Sequence, residues 1–419
     1  MTPRCLLIYI MLIASMISAE PTCKPSKNNA RNIICTPGDD DYILEKGLVS
    51  DNSKTERITL RGCRITEVNY ESFQGLPLLK YIDLSYNRLS KLKLGSLDEP
   101  KELTHLNLSY NSITEFPLGI FDTNTKLQLL DLKGNKLENI QLGILDPLPN
   151  LKHLDLSSNE ILGSTLNPYI FDRSPQIAFM DFSRNDMRDA DEDLLHAFQA
   201  IEFLNLDRCM LNEVPAFATK PNLKTMKSLF LSVNQISEIN NPTTFANMDG
   251  LELLNLGWNV LKSLHEDVFK PIRNLKIIVL RNNKLTTIPD TLFKGMTSLS
   301  NIDLANNLIT FVPVNAFRGT VVKNLNLASN QFTYLTDNFC LELKNSGVRL
   351  QKFYFNDNPW QCKCLRDILT EVAKYGIQYN SAKYDGAHAV CVYEDKYCHR
   401  HESFNQIYVD LYDKLITKG

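Results

Sequence analysis

The chain has little excess charge of either sign. Its 45 Lys and Arg against 48 Asp and Glu leave a net charge of -3 over 419 residues. A nucleic-acid groove needs a strongly basic stripe, and none is present. Beyond the first twenty residues, no window reaches the roughly 18 apolar residues needed to span a bilayer. The C-terminal "DLYDKLITKG" has no hydrophobic tail that could direct a glycolipid anchor. There is no Gly-x-Ser-x-Gly elbow, no phosphate loop and no His-Glu-x-x-His pair, so no catalytic constellation emerges and no cofactor is expected. The hydrophobic share of 43% is that of a folded protein and leaves no room for large disordered tracts.

The one long apolar run is N-terminal: "MTPRCLLIYIMLIASMISAEPTC". Arg4 supplies a positive flank, Leu6 to Ile17 an apolar core, and Ile17-Ser18-Ala19 a cleavage site before Glu20. The run is too short for a membrane anchor and ends in small residues. Residues 1–19 therefore read as a signal peptide, and the mature chain as a secreted, extracellular protein in which disulfides persist.

A repeat occupies most of the rest. The segments "LRGCRI", "LSYNRL", "LSYNSI", "LKGNKL", "LSSNEI", "FSRNDM", "LDRCML", "LSVNQI", "LGWNVL", "LRNNKL", "LANNLI", "LASNQF" and "FNDNPW" align at separations of 23 to 26 residues, with a final step of 28. Their fourth position is Asn in eleven turns and Cys in two, Cys63 and Cys209. Alternate strand residues point to opposite faces, so in "LKYIDLSYN" Leu79, Ile82, Leu84 and Asn87 turn inward. The Asn amide can then satisfy backbone groups of neighbouring turns. A second apolar post follows in each turn, usually Phe, from Phe73 to Phe339, with Leu97, Leu145 and Leu195 in three turns. Each turn is too small to bury a core alone, so stability comes from stacking.

This pattern resembles the extracellular leucine-rich repeat superfamily over roughly residues 56–360. The resemblance implies an α/β repeat fold: a leucine-rich repeat solenoid (horseshoe) with a parallel concave β-sheet and disulfide-bonded end caps. Residues 20–55 would form the N-terminal cap, with Cys23 and Cys35 closing a short loop. Residues 56–357 would form an array of about thirteen turns, and 358–419 a cysteine-rich C-terminal cap with a terminal helix. The resemblance implies Cys362–Cys391 and Cys364–Cys398 bridges, whereas sequence alone permits three connectivities. Cys63 and Cys209 read as buried stand-ins for Asn. Cys340 is either a buried free thiol or a link to another chain. "CHRH" offers Cys398, His399 and His401 as metal ligands, but the expected bridge removes Cys398 and the alternating histidines read as solvated.

Between the strand leucines lie Asp83, Asp131, Asp155, Asp181 and Asp303, and Asn107, Asn205, Asn255 and Asn326. They recur once per turn without a pocket and read as an outward column rather than as acid–base pairs. Asn107-Leu108-Ser109 is an N-glycosylation sequon within that column. At the C-terminus Ile407, Leu411 and Leu415 repeat every four residues beside Tyr408 and Tyr412, which predicts a short amphipathic helix packed on the cap.

"LELLNLGWN" adds a large aromatic at a place the repeat does not require. The alternation turns Leu251, Leu254, Leu256 and Asn259 inward, leaving Leu253, Asn255 and Gly257 outward and Trp258 at the strand exit. In the same register, Phe203, Phe230, Val233, Leu253, Trp258, Ile277 and Val279 share a solvent-facing patch, where neighbouring turns place Asp, Asn, Ser and His. A contiguous exposed apolar patch usually marks an interaction site, and aromatics supply most hot spots. The expected partner is an extracellular protein ligand or receptor, without nucleic acid or a membrane span. The two cysteine caps are similar to those of Toll receptor ectodomains and insect secreted leucine-rich immune proteins, which implies recognition or modulation in innate immune signalling. An extracellular-matrix or adhesion protein is the alternative, and a non-catalytic stabilising subunit of an enzyme the remote one.

Overall fold

The computed structural model describes residues 20–384, 390–402 and 405–416. The expected signal segment, 1–19, lies outside them. The chain divides into two units, residues 1–201 and 202–419.

The first unit opens with an antiparallel hairpin, Thr22–Ser26 on Asn29–Thr36, in which Cys23 and Cys35 are cross-strand partners joined by a disulfide. The hairpin's second strand pairs in parallel with Arg57–Thr59, and parallel pairing continues through Tyr81–Asp83, His105–Asn107, Leu129–Asp131, His153–Asp155 and Phe179–Asp181. Each of these repeat strands is three residues long and every central residue is buried. The second unit repeats the arrangement through Phe203–Asn205, Ser228–Phe230, Leu253–Asn255, Ile277–Val279, Asn301–Asp303, Asn324–Asn326 and Lys352–Tyr354. Such short parallel strands cannot stand alone, and what secures them is the buried layer behind.

That layer has two parts. All the Phe posts from Phe73 to Phe339 are buried, as are Leu97, Leu145 and Leu195. Phe245, Phe269, Phe293 and Phe317 form a continuous stack with ring centroids 6.1, 6.2 and 6.0 Å apart. The second part is the Asn ladder. Asn283 is representative: its Nδ2 donates to the Leu256 and Leu280 carbonyls at 3.0 and 2.9 Å, and its Oδ1 accepts the Leu261 N–H at 3.0 Å. One amide thus satisfies three backbone groups that would otherwise be buried without partners. In the Cys63 turn the thiol donates weakly to the Cys35 and Arg61 carbonyls, and burial pushes its pKa up to about 11. Cys209 is likewise a buried thiol, bonded to the Asp207 carbonyl.

The C-terminal end is closed by three helices: α1 Phe339–Asn345, α2 Cys362–Lys374 and α3 Asn405–Ile416. Disulfides join Cys362 to Cys391 and Cys364 to Cys398. Trp360 is fully buried, stacks on Phe332 and donates its indole N–H to the Phe355 carbonyl at 2.8 Å. Two expectations need correction here. Helix α3 faces the cap with Asn405, Tyr408 and Val409, with Tyr408 against Tyr393 and Asn405 bonded to Thr333, whereas Ile407, Leu411 and Leu415 are exposed. Two stripes a quarter-turn apart were available to the helix, and the cap's polar and aromatic groups selected the tyrosine stripe. Cys340, read as a link to another chain in one alternative, is buried in α1 beside Glu371, whose carboxylate accepts its backbone N–H. Burial and that carboxylate raise the thiol's pKa, which disfavours reaction. In "CHRH", Cys398 is disulfide-bonded and the His399 ring lies on Asp395.

Candidate protein-binding surface

The seven residues of the patch all belong to the second unit, and the strand register brings them together. Phe203, Ser228, Leu253 and Ile277 are successive partners across the sheet, and Asn205, Phe230, Asn255 and Val279 form the parallel column beside them. Every one of these side chains is part-exposed, whereas Leu204, Leu229, Leu254 and Ile278 between the columns are fully buried. The Phe203 and Phe230 rings meet at 5.2 Å, tilted by 42°. Trp258 is 54% exposed at the strand exit. The patch is bordered on one side by polar groups, with Asn301 as the next partner of Ile277 and Asp303 that of Val279.

The strand exits impose a cost on what they carry. The residue before each ladder Asn adopts the left-handed conformation, with φ of +56° at Val233 and +57° at Trp258. It is held there by its N–H, which donates to the carbonyl of the next turn, Val233 to Gly257 at 3.0 Å and Trp258 to Arg281 at 2.9 Å. In other turns this place holds Gly62, Gly134, Asn282 and Asn306, for which the conformation is easy, and also Tyr86, Tyr110, Ser158, Arg184, Arg208, Ser329 and Asp357, so the repeat imposes it on whatever residue stands there. A β-branched Val at positive φ is an outlier. Gly257 is needed for close packing, since a Cβ there would lie 3.3 Å from both Val279 Cγ1 and Arg281 Cγ.

The Asp and Asn column has a local structural role that sequence reasoning passed over. In all nine turns the side-chain Oδ1 accepts the N–H two residues on, from Asp83 to Ser85 at 2.9 Å through Asn326 to Ala328 at 3.1 Å. This turn bends the chain out of the strand. Asp83 and Asp181, expected to project outward, are largely covered by their neighbours. Burial above all, with Asp155 alongside, pushes the Asp131 carboxyl up to about 6. Asn107 is part-exposed at the end of its strand, between Asp83 and Asp131 on the neighbouring strands, with its Oδ1 engaged by the Ser109 N–H and hydroxyl.

The earlier turns are also less polar than expected. Arg57 lies 3.4 Å over the Tyr81 ring, His153 stacks on Phe179 at 3.9 Å, and Tyr86 stacks on Tyr110 at 4.4 Å. The signal for these pairs was an aromatic or cationic residue at the same repeat position in consecutive turns.

Comparison with known proteins agrees with this architecture. Sequence models of leucine-rich repeats match residues 53–113, 101–161 and 273–332, and a single-repeat model matches 150–173. No curated protein sequence matches the chain significantly. Among solved structures, a leucine-rich repeat protein of Leptospira interrogans is similar at 23% identity and TM-score 0.63, over 78% of this chain and 84% of that one. An internalin from Listeria monocytogenes is similar at 16% identity and TM-score 0.52, over 81% and 86%. The leucine-rich repeat domain of APL1B aligns at 18% identity over 96% and 95%, with TM-score 0.49. No helix among the described residues is long and apolar enough to cross a membrane. The repeats, their buried Asn ladder and the stacked parallel strands give the chain the leucine-rich repeat fold.

Proposed function

We propose that this is a secreted, non-enzymatic recognition protein that binds another extracellular protein through the solvent side of its sheet at Phe203, Phe230, Val233, Leu253, Trp258, Ile277 and Val279. The observation that carries the reading is the contiguity of the patch: Phe203, Phe230, Leu253, Ile277 and Val279 lie on adjacent strands on the open side of the sheet, with Trp258 more than half exposed at the edge. The patch is broad and nearly flat, and it combines aromatic anchors with a polar border, which suits a protein surface. Three disulfides accord with an oxidising, extracellular setting. Its capped-repeat resemblance favours a soluble modulator or carrier in innate immune signalling, and a glycan on Asn107 would cover that strand and its two neighbours.

The test is affinity capture from the native extracellular fluid with wild type and Trp258→Ser side by side. Both should be secreted equally and melt alike. The variant should lose a partner retained by wild type, because an anchor worth about 2 kcal/mol corresponds to roughly thirtyfold in affinity. Equal recovery of every partner by the two proteins would remove the patch as the site.

A further inference from the structure

On the first unit a second apolar surface lies away from the strands. Tyr70, Leu94, Leu118 and Leu142 follow one another at intervals of 24 residues, each three positions before a buried post. They are 63%, 62%, 50% and 49% exposed. The first three lean on the turn that follows: a Cβ on Gly95 would lie 3.8 Å from Tyr70 Cβ, one on Gly119 3.4 Å from Leu94 Cδ1, and one on Gly143 3.8 Å from Leu118 Cδ2. The four side chains are therefore one stripe across four successive turns. The repeat does not require it, since the same place holds Glu266 before Phe269 and Asp290 before Phe293.

A row of carboxylates runs beside the stripe. Asp98, Asp122 and Asp146 stand four residues after Leu94, Leu118 and Leu142, and each donates its backbone N–H to the carbonyl of Gly95, Gly119 or Gly143. That tight turn brings the acid back beside the leucine, with Asp122 Oδ2 3.3 Å from where a Gly119 Cβ would be. All three are exposed and none has an ion-pair partner among the described residues. Two lysines near the row, Lys93 and Lys126, are already paired with Glu67 and Glu102.

We infer that this stripe is a docking surface for an amphipathic α-helix of a partner protein, with leucine-like residues on one face and Lys or Arg along its flank. The pitch supports a helix. Stacked turns advance by roughly 4.8 Å at their strands, and the Phe posts, three residues after the equivalent place, lie 6.0–6.2 Å apart in the second unit. An α-helix lying along the turns advances about 5.4 Å per turn, within that range, and so presents one apolar side chain to each repeat. An extended strand shows same-face side chains every ~6.8 Å, outside it. Charge selects the flank: basic residues meet Asp98, Asp122 and Asp146. A second copy of this chain would bring two acidic rows into one contact, and an anionic membrane would be repelled by the same row. This surface is independent of the Trp258 patch.

The experiment uses the full-length secreted protein and a fluorescent synthetic 18-residue helix with Leu every third or fourth position and Lys on its flank. A scrambled peptide of the same composition is the control. Anisotropy should show binding to the helix and not to the scramble, weakening as salt is raised. Leu94→Ser/Leu118→Ser should weaken it at least tenfold with an unchanged melting temperature. Asp98→Asn/Asp122→Asn/Asp146→Asn, which keeps every apolar contact, should weaken it and flatten the salt dependence, and Trp258→Ser should leave it unchanged. Equal binding of the scramble, or wild-type affinity in both multiple variants, overturns the inference. So does a wild-type dimer that Leu94→Ser/Leu118→Ser dissolves, or binding to phosphatidylserine vesicles that those leucines mediate.

Discussion

The strands of residues 57–181 and those of residues 203–279 share one backbone plan and present different surfaces. Both bury a leucine or its equivalent at the centre of each strand and an Asn or Cys at the exit. In the first group the open side of the sheet is mixed, and its aromatics are already engaged: Tyr81 under Arg57, Phe179 against His153, Tyr86 on Tyr110. In the second, Phe203, Phe230, Leu253, Ile277 and Val279 lie side by side with Trp258 at the edge. The buried positions answer to stacking and cannot vary much. The two groups differ at the positions that stacking leaves free.

The largest effect should come from crossing that division within one strand. Leu254→Ala removes a fully buried side chain and should cost about 2–5 kcal/mol, read as a lowered denaturation midpoint or failed secretion. Its neighbour Leu253 projects to the open side, so Leu253→Ala should move stability by less than about 0.5 kcal/mol. Reversal of these two results would break the comparison at its root.

Next in size is the ladder. Asn283→Ala strands the Leu256 and Leu280 carbonyls and the Leu261 N–H, at roughly 1–3 kcal/mol for each group left unsatisfied. A variant that melts like wild type would show that these groups find other partners.

A smaller, pH-dependent effect should separate the two groups of strands. The folded chain holds the Asp131 proton more tightly than the unfolded chain, because burial raises its pKa to about 6. Its contribution to stability therefore falls as pH rises from the ordinary carboxylate range through about 6. Asp131→Asn keeps an oxygen for the Lys133 N–H and removes the buried charge. The variant should melt higher than wild type at pH 7.5 and lose that advantage near pH 4. Asn205 and Asn255 hold the corresponding place in the strands of residues 203–255, so no such pH-dependent gain is available at those two turns.

Much of the fold was legible because its signals are local and repeated. The Asn period, the strand alternation and the Phe posts each follow from one turn needing the next, and the register that assembles the Trp258 patch follows from the alternation. The surface of helix α3 was not legible. Ile407, Leu411 and Leu415 satisfy helical spacing as well as Tyr408 and Tyr412 do, and periodicity cannot choose between two apolar stripes. The burial of Asp83 and Asp181 was not legible for a related reason: a carboxylate covered by its neighbours is identical in sequence to one in the same column that stays part-exposed.

The sequence by itself determined the stacking unit, its buried faces and the cysteines available to the caps, because turns of nearly constant length repeat the same inward residues. Only the tertiary structure decided which cap contacts form, how far Asp83, Asp131 and Asp181 are desolvated, and that Tyr70, Leu94, Leu118 and Leu142 meet as one exposed stripe. Those outcomes depend on what neighbouring turns and the caps place opposite each side chain, and no single turn contains that information.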